Sequence, residues 1–541
     1  MKQLSTDVLI IGSGGAGLRA AIEARRQKVN VLLVSKGKLG FANCTAIAGG
    51  IFRASQDEKG ITEHFQETLE AGRFLNNSLL VRTLVTDAWY AVKETEKLGI
   101  KLLVEKDKVS IIANRPPPGA SLSKALSKCA LDLGVNALEK TFVFNLLVEN
   151  GRCVGALAFK KNVGEIITIL AKSTVLATGG YSRLFIRNDN PPEITGDGLV
   201  FAFEAGAELQ DLEFVQFQPM FTDKGVPRMP ILDWLTEDTK NLIPGGPLIN
   251  KKGERFLGKY GLLDKKILRD NLTVSIEREL HQEHEDSVVF DLTQLSPTEI
   301  VDALCYDYRK RLVLPLGKIL PTRRLHVASF AHYTMGGVKI NEKCETTVDS
   351  LYAVGEVTSG IHGANRVGGN ALTEILVFGA MAGRQAAEHA KRIEFIVANK
   401  EQIKETVEKF QEFRDKPKLK KISPLQIKEE VSAIVSKFCR PLRSEEGLKY
   451  ALEELKQTEE KASFMFAENP DKLQEAIEVD SMLLLAKLVA NSALARKESR
   501  GSHFRVDYPK TNDVDWLKNI IISQEDGKTR IRYEHLMKKQ I

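Results

Sequence analysis

A glycine-rich turn near the N-terminus has the spacing of a phosphate-binding loop. Its glycines are Gly12, Gly14 and Gly17, and they directly follow the apolar run DVLII at residues 7–11. The first glycine of such a loop permits a tight turn, the second lets backbone approach a pyrophosphate, and the third lets a helix pack closely on the strand. The positive end of that helix then faces the phosphates. The motif predicts a dinucleotide-binding unit completed by a second strand at residues 29–34.

The end of the second strand leaves the identity of the dinucleotide open. Ser35 and Lys36 stand where NAD-binding units usually have an acidic residue for the ribose hydroxyls. Later glycine segments favour FAD, because a flavin cofactor that lies extended across a domain needs backbone contacts far apart in sequence. These segments are Gly49-Gly50, Ala177-Thr178-Gly179-Gly180, Thr195-Gly196-Asp197-Gly198, and Val354-Gly355-Glu356 followed by HGANR at 362–366.

Length, charge and cysteine usage exclude several classes of protein. A chain of 541 residues predicts two to four domains. Its net charge of +6 is the balance of 77 basic and 71 acidic residues scattered along the chain, which argues against a nucleic-acid partner. The six cysteines form no CxxC pair, so no metal site is predicted and any iron–sulfur cluster must sit on another chain. No apolar run reaches the roughly 18–20 residues of a membrane span, and a cytoplasmic location is expected.

Longer motifs resemble those of the succinate dehydrogenase and fumarate reductase flavoprotein family, which also includes L-aspartate oxidase. The resemblance is collinear from Asp7 to about Trp516. The resembling segments are SGGAGLRAAIEA (13–24), LATGG (176–180), TGDG (195–198), HYTMGG (332–337), YAVGE (352–356), HGANRVGGNALTEILVFG (362–379) and ESRGSHFRVDYP (498–509).

The resemblance implies an α/β FAD-binding Rossmann-like domain with an inserted α+β capping domain and a C-terminal helical domain. The expected parts are the FAD-binding domain at 1–225 and 331–395, the capping domain at 226–330, and the helical domain at 396–541. Independently of the resemblance, periodic Lys/Glu-rich segments predict amphipathic helices at 401–412, 426–437, 445–456 and 472–492.

FAD is the cofactor that the resemblance implies, and we expect it to be held noncovalently. Many respiratory members attach the flavin to a histidine shortly before the first flavin loop, whereas this chain has Cys44 in that region and its first histidine is His64. A cysteinyl link through Cys44 is the alternative. The predicted cofactor-binding residues are Gly12, Gly14, Gly15, Ala16, Gly17, Ser35, Lys36, Gly49, Gly50, Ala177, Thr178, Gly179, Asp197, Gly355, Glu356, Arg366, Asn370, Ala371 and Leu372.

A proton donor and its relay are implied by the same resemblance. The family delivers the proton from an arginine in an RD-x-x-S-like motif, and Arg269 matches it downstream of GERF at 253–256. The relay segment corresponds to residues 235–240, where Thr236 and Glu237 fit the family and Lys240 replaces its arginine. Glu237 and Lys240 are the expected relay residues, and Thr236 is expected to bind the substrate. Lysine titrates more readily than arginine but cannot make a planar bidentate contact.

The substrate carboxylates are expected to bind His332 and Arg366, which match the family's histidine and arginine. A guanidinium can hold a carboxylate through two parallel hydrogen bonds. The sequence departs from the family at the second carboxylate, where Gln218 and Met220 replace a histidine and a threonine. Glutamine can still donate a hydrogen bond, but methionine cannot, so the identity of the substrate stays open.

We therefore predict that the chain is the flavoprotein subunit of a fumarate reductase or succinate dehydrogenase. It would transfer a hydride between FAD and a C4 dicarboxylate, with Arg269 as proton donor, and exchange electrons with an iron–sulfur partner subunit. One alternative is L-aspartate oxidase. The other is an FAD-containing electron-transfer flavoprotein without dicarboxylate turnover, a role that Gln218, Met220 and Lys240 would suit.

Overall fold

The fold is described from a computed structural model for residues 2–113, 117–161, 163–231, 243, 245–263, 267–300, 322–415 and 421–536, without the side chains of 228, 229 and 415. Its strands are β1 (Lys2–Ile11), β2 (Val31–Val34), β3 (Ile51–Arg53), β4 (Lys101–Glu105), β5 (Lys108–Ile112), β6 (Asn136–Leu138), β7 (Thr141–Glu149), β8 (Arg152–Lys160), β9 (Glu165–Leu176), β10 (Leu209–Gln210), β11 (Val215–Asp223), β12 (Val226–Pro230), β13 (Leu248–Ile249), β14 (Val288–Asp291), β15 (Arg324–Thr334), β16 (Gly337–Val338), β17 (Leu351–Ala353), β18 (Leu442–Arg443), β19 (Phe504–Arg505), β20 (Lys518–Glu525) and β21 (Lys528–His535). Its α-helices are α1 (Gly15–Arg26), α2 (Cys44–Ile47), α3 (Glu58–Ala71), α4 (Ser78–Glu94), α5 (Gly119–Asp132), α6 (Asp197–Glu204), α7 (Arg269–Glu283), α8 (Asn370–Ala390), α9 (Lys400–Asp415), α10 (Pro424–Phe438), α11 (Glu445–Ala462), α12 (Pro470–Ala495) and α13 (Asp513–Trp516).

The predicted dinucleotide-binding unit forms the centre of a seven-stranded sheet. The sheet has the order β6-β2-β1-β9-β8-β7, and β17 also pairs with β9. β1 runs parallel to both β2 and β9, with Ile10 opposite Leu33 and Val175. The last four residues of β1 and all of β2 are buried, as expected for strands covered on both faces. The α/β Rossmann-like fold is therefore confirmed, with β1 longer and β2 shorter than predicted.

A second, antiparallel sheet carries the opposite side of the site. It has the order β12-β11-β15-β14-β13, and its apolar residues form a separate core with helix α7. α7 turns Leu272, Ile276 and Leu280 toward that core, at the spacing of one helix face. Because β11 precedes residue 226 and β15 crosses residue 330, this sheet straddles both predicted limits of the capping domain. The division of the chain into four parts stays a prediction.

The C-terminal segment packs on the first domain through helices and a hairpin. Helices α9 to α12 occupy the four predicted amphipathic segments. The hairpin β20–β21 follows them and joins β10 and β16 in a four-stranded sheet, with Leu209 opposite Ile522. This hairpin was not predicted. In the part of the chain that the structure describes, no helix combines the length and the apolar character that a membrane span requires.

A buried group of charges connects the C-terminal segment to the residues between β10 and β11. The side chain of Arg496 is fully buried, and its Nε donates to Glu213 Oε1 at 2.6 Å. Its Nη1 lies 3.2 Å from Glu498, and its Nη2 lies 3.4 Å from Asp211. Ser492 also donates to Glu213. Removing one member would leave buried charge without compensation, which is far more costly than losing an exposed ion pair.

We expect Glu213→Ala to lower the free energy of unfolding by about 3–5 kcal/mol, because Arg496 would lose its shortest ion pair inside the protein. Urea denaturation followed by circular dichroism would measure this as an earlier midpoint. Asp132→Ala is the matched control, since Asp132 pairs with Lys128 on the exposed surface of α5, and its midpoint should stay close to that of the wild type. Equal midpoints for the two variants would contradict a stabilising role of the Glu213 network.

Candidate active site

One cavity of ≈ 940 Å³ lies where the ends of the first sheet face the second sheet. This volume lies within the range of protein sites that bury a small molecule or cofactor. The first sheet and its loops contribute the glycine turn after β1, the end of β2 and the turn after β9. The second sheet contributes Gln218 and Met220 from β11 and His332 from β15, and α7 contributes Arg269.

The glycine turn has the close backbone contacts of a phosphate-binding loop. Gly12 has φ = +112°, and a Cβ placed on it would stand 2.2 Å from the carbonyl oxygen of Ala177. A Cβ on Gly17 would stand 2.0 Å from the carbonyl oxygen of Gly12. Both positions therefore require glycine: Gly12 lets the turn after β1 pass close to the end of β9, and Gly17 lets α1 pack against that turn. The N-terminus of α1 is left facing the cavity, where the backbone N–H groups can bind a pyrophosphate.

Lys36 lies at the end of β2, where NAD-binding units usually have an acidic residue, and it forms buried ion pairs there. Its Nζ lies 3.1 Å from Asp197 Oδ1, from Glu478 Oε1 and from Thr195 Oγ1. Burial lowers the pKa of Lys36, but the two carboxylates outweigh it and raise this pKa to about 12. Nearby, the hydroxyls of Ser13 and Ser35 are 2.6 Å apart. The charge of Lys36 is thus balanced by two carboxylates, and its ion pairs connect the end of β2 to α6 and α12. The hydroxyls of the neighbouring Ser13 and Ser35 lie at the cavity.

Cys44 lines the cavity as a protonated thiol. Its Sγ donates to Asn190 Oδ1 at 3.0 Å. Burial and the neighbouring carboxyls of Glu356 and Asp189 raise the pKa of Cys44 well above its ordinary value. The reactive form of cysteine is the thiolate, so these surroundings suppress nucleophilic reaction at this position. Burial also raises the pKa of Glu356 to about 7, partly offset by the N–H of Thr334.

Arg366 places a buried positive charge at one end of the cavity. The residue is 6% exposed, and its guanidinium carbon lies 4.4 Å from the centre of the Tyr333 ring. Among the described residues its guanidinium makes one hydrogen bond, from Nη1 to the carbonyl oxygen of Val367 at 3.3 Å, and its Nε has no partner. Burial lowers the pKa of Arg366, while Tyr333, Glu356 and Glu374 partly offset this. A buried guanidinium with unused donors is suited to an anionic ligand.

His332 lies close to this arginine and is paired with an aspartate. Its Nδ1 is 2.7 Å from Asp189 Oδ2. Burial lowers the pKa of His332, the Asp189 carboxylate opposes this, and Arg366 and Arg269 lower it further. The imidazole is therefore neutral at neutral pH. Asp189 was not singled out from the sequence, because it lies 143 positions from His332 and only the tertiary fold brings the two together.

Arg269 begins helix α7 and reaches the same region of the cavity. Its Nη2 is 3.4 Å from the place where a Cβ on Gly368 would stand, so its guanidinium lies against the loop that follows Arg366. The start of α7 is fixed by Asn271, whose Oδ1 accepts from the backbone N–H of Leu268 at 2.9 Å. Thr273 Oγ1 donates to the carbonyl oxygen of Phe217 at 3.0 Å and thereby anchors α7 on β11.

Most of the predicted site residues meet in this one cavity. It is lined by Gly12, Gly14, Gly15, Ala16, Ser35, Lys36, Gly49, Gly50, Ala177, Thr178, Gly179, Asp197, Gln218, Arg269, His332, Glu356, Arg366, Ala371 and Leu372. Gly17, Gly355 and Asn370 do not line it. The side chain of Asn370 instead bonds His64 at 2.8 Å and Thr68 at 3.0 Å. The predicted relay residues Glu237 and Lys240, and Thr236, which was predicted to bind the substrate, lie outside the described residues.

Two family descriptions match most of the chain. "FAD binding domain" matches residues 7–372, and "Fumarate reductase flavoprotein C-term" matches residues 428–541. A similar protein is an uncharacterized FAD-dependent oxidoreductase of Methanocaldococcus jannaschii, 36% identical over 96% of each chain. Another is one subunit of a CoM/CoB fumarate reductase of Methanothermobacter marburgensis, 32% identical over 96% of this chain and 97% of that one. The E. coli quinol fumarate reductase chain FrdA, solved in a mutated form, has a TM-score of 0.86 at 28% identity, over 99% of this chain and 97% of that one.

The chain therefore belongs to the fumarate reductase and succinate dehydrogenase flavoprotein family of FAD-dependent oxidoreductases. FAD fits the cavity on the observations above. Gly12 and Gly17 allow the tight turn that brings the N-terminus of α1 to the cavity, and Gly14 and Gly15 line the cavity there, where the pyrophosphate would bind. Ser13, Ser35 and Asp197 line the part of the cavity near Lys36.

We expect the FAD to be released intact when the protein is denatured, because Cys44 is a protonated thiol and the chain has no histidine before His64. Acid precipitation of the flavin-loaded protein should leave the yellow colour in the supernatant and none in the pellet. Flavin fluorescence that stays with the polypeptide band on a denaturing gel would contradict this, and loss of that fluorescence in Cys44→Ser would identify the attachment site.

Proposed function

We propose that the protein is the catalytic flavoprotein subunit of a fumarate reductase or succinate dehydrogenase-type enzyme. The observation that carries this proposal is the group of three basic side chains, Arg366, His332 and Arg269, that line the cofactor cavity from three different elements. Bound FAD supplies or accepts a hydride at its N5. The residues of the chain hold the dicarboxylate, polarise it and supply the proton.

Substrate binding rests on the unused hydrogen-bond donors of Arg366. Its guanidinium has lost most of its hydration, and the described residues give it a single hydrogen bond. A substrate carboxylate accepting two N–H bonds would compensate this buried charge. Since Tyr333 covers one face of the guanidinium, the carboxylate would approach in the guanidinium plane, which fixes the orientation of the substrate.

Proton delivery rests on the position of Arg269 beside the Arg366 loop. An arginine remains protonated at neutral pH, so Arg269 both polarises a bound diacid and carries a proton to donate. A group that gives up this proton must be recharged, and Glu237 and Lys240 are the proposed relay by resemblance to the family. Thr236, in the same segment, is a proposed substrate-binding residue.

The far end of the substrate would contact β11. Gln218 and Met220 are buried in that strand and line the cavity, and Gln218 Oε1 has no hydrogen-bond partner among the described residues. An amide can donate to a carboxylate without carrying charge. We therefore place Gln218 at the second carboxylate, where it would hold the substrate more weakly than Arg366 does.

An iron–sulfur subunit is the proposed electron-transfer partner. The relative from Methanothermobacter marburgensis is named as one subunit of its enzyme, and the relative from E. coli is named as a flavoprotein subunit. These names support an assembly in which another chain carries the electrons. In the described part of the chain no cluster of three histidine, cysteine or acidic side chains is arranged to hold a metal.

We expect Arg269→Ala to reduce the rate of fumarate reduction by about 10²–10⁴-fold, the usual contribution of a positioned general acid. Reduced viologen dye supplies electrons without any partner subunit, so its oxidation by fumarate measures turnover of this chain alone. Arg530→Ala is the matched control, because Arg530 is exposed and pairs with Glu525 on the hairpin β20–β21. A wild-type rate in Arg269→Ala with full FAD would remove Arg269 from the reaction.

The same assay separates the alternative functions. Fumarate turnover by the wild type supports the proposal. If the wild type holds full FAD but turns over no fumarate, the protein is an electron-transfer flavoprotein or acts on another substrate. Oxidation of L-aspartate to iminoaspartate by the same preparation would identify it as an L-aspartate oxidase instead.

A further inference from the structure

The segment that carries Asp189 is fixed against strand β15. Asn188 forms a bridge with Ala331, and the backbone N–H of Asp189 donates to the Ala331 carbonyl at 3.2 Å. Asn190 Nδ2 donates to Asp189 Oδ1 at 3.0 Å and to the His332 carbonyl at 3.1 Å. The carboxylate of Asp189 is thereby held beside the imidazole of His332, independently of any ligand.

This contact determines which nitrogen of His332 carries the hydrogen. An ionised carboxylate only accepts hydrogen bonds, so Nδ1, at 2.7 Å from Asp189 Oδ2, must be the protonated nitrogen. In the neutral imidazole Nε2 then has a lone pair and no hydrogen. The described residues offer Nε2 no hydrogen bond, and His332 lines the cavity. The nitrogen that a substrate would meet is therefore an acceptor.

Before the dicarboxylate binds, the charges around His332 favour the neutral imidazole. Asp189 faces it from the segment before β10, Arg366 from the loop after β17, and Arg269 from α7. Glu356 is a further titratable group in the lining of the same cavity. Burial and the two arginines outweigh the aspartate, so the pKa of His332 stays below its ordinary value.

An acceptor nitrogen cannot bind a carboxylate, which also only accepts. We propose that the dicarboxylate binds together with one proton, which passes from solvent to Nε2 of His332. Asp189 is the positioning residue: it holds the hydrogen of the neutral imidazole on Nδ1, so Nε2 can donate to the substrate only after it has gained a proton. The inference rests on the proposed function. The protonated imidazole would lie between two carboxylates, one from Asp189 and one from the substrate, and the negative charge of the substrate would offset Arg366 and Arg269.

The proposal predicts a link between affinity and pH. At pH values between the pKa of His332 without substrate and its higher pKa in the complex, the dissociation constant should rise about tenfold per pH unit, because each binding event takes up about one proton. At lower pH, where His332 is already protonated in the free protein, the proton uptake should disappear.

The test is calorimetric titration of the oxidised, FAD-loaded protein with fumarate, which does not react with oxidised flavin. Titrations at one pH near neutrality, in buffers of different ionisation enthalpy, count the protons taken up per fumarate bound. We expect about one proton for the wild type. Asp189→Asn should bring the count close to zero, because the amide can donate to Nδ1 and leave the hydrogen on Nε2. His332→Gln should also give a count near zero, since its amide donates without titrating.

Asp286→Asn is the matched control, because Asp286 pairs with Arg187 at an exposed position, and it should keep the wild-type proton count. Flavin absorbance confirms that each variant is folded and loaded. Fumarate binding without proton uptake by the wild type would overturn the inference and leave the proposed function intact. Uptake that persists in His332→Gln would overturn it even if Asp189→Asn does not fold. Absence of fumarate binding in the wild type would instead remove the proposed function, and the inference with it.

Discussion

A guanidinium buried beside a large cavity is the constraint on which the site depends. Removing the charged Arg366 side chain from water costs solvation free energy. Among the described residues its guanidinium makes only one hydrogen bond in exchange. Its charge is balanced from a distance by Glu356 and Glu374. The Glu374 carboxylate accepts a hydrogen bond from Tyr333 at 2.8 Å and lies 2.8 Å from Nε2 of His362. The protein thus keeps a cation in place without neutralising it by direct contact, which leaves its donors available to an anion.

Two sheets and one helix are needed to surround that cation. The first sheet provides the loop after β17 that carries Arg366, and the second provides β15 with His332. Helix α7 adds Arg269, and its contact from Thr273 to β11 fixes the distance between this arginine and the second sheet. The buried ion pair of Arg496 with Glu213 fixes the segment just before β11. The cofactor cavity and the basic side chains that line it are therefore parts of one packed arrangement.

The features predicted best from sequence are those that require a particular residue type at a fixed spacing. Gly12 and Gly17 were recognisable because no side chain fits there, and the helix periodicity located α9 to α12. Contacts that depend on the approach of distant segments were not predictable. The pairing of Asp189 with His332 is one example, and the turn of Asn370 toward α3 instead of the cavity is another. The hairpin β20–β21 was missed because its second strand, β21, is largely exposed and rich in charged residues.

The most direct test of this account is a crystal structure of the oxidised, FAD-loaded protein with fumarate bound. We expect one carboxylate of fumarate within hydrogen-bond distance of both Arg366 and His332, with Arg269 facing the alkene and Gln218 near the second carboxylate. A fumarate bound elsewhere, or a flavin ring that separates Arg269 from His332 and Arg366, would contradict it.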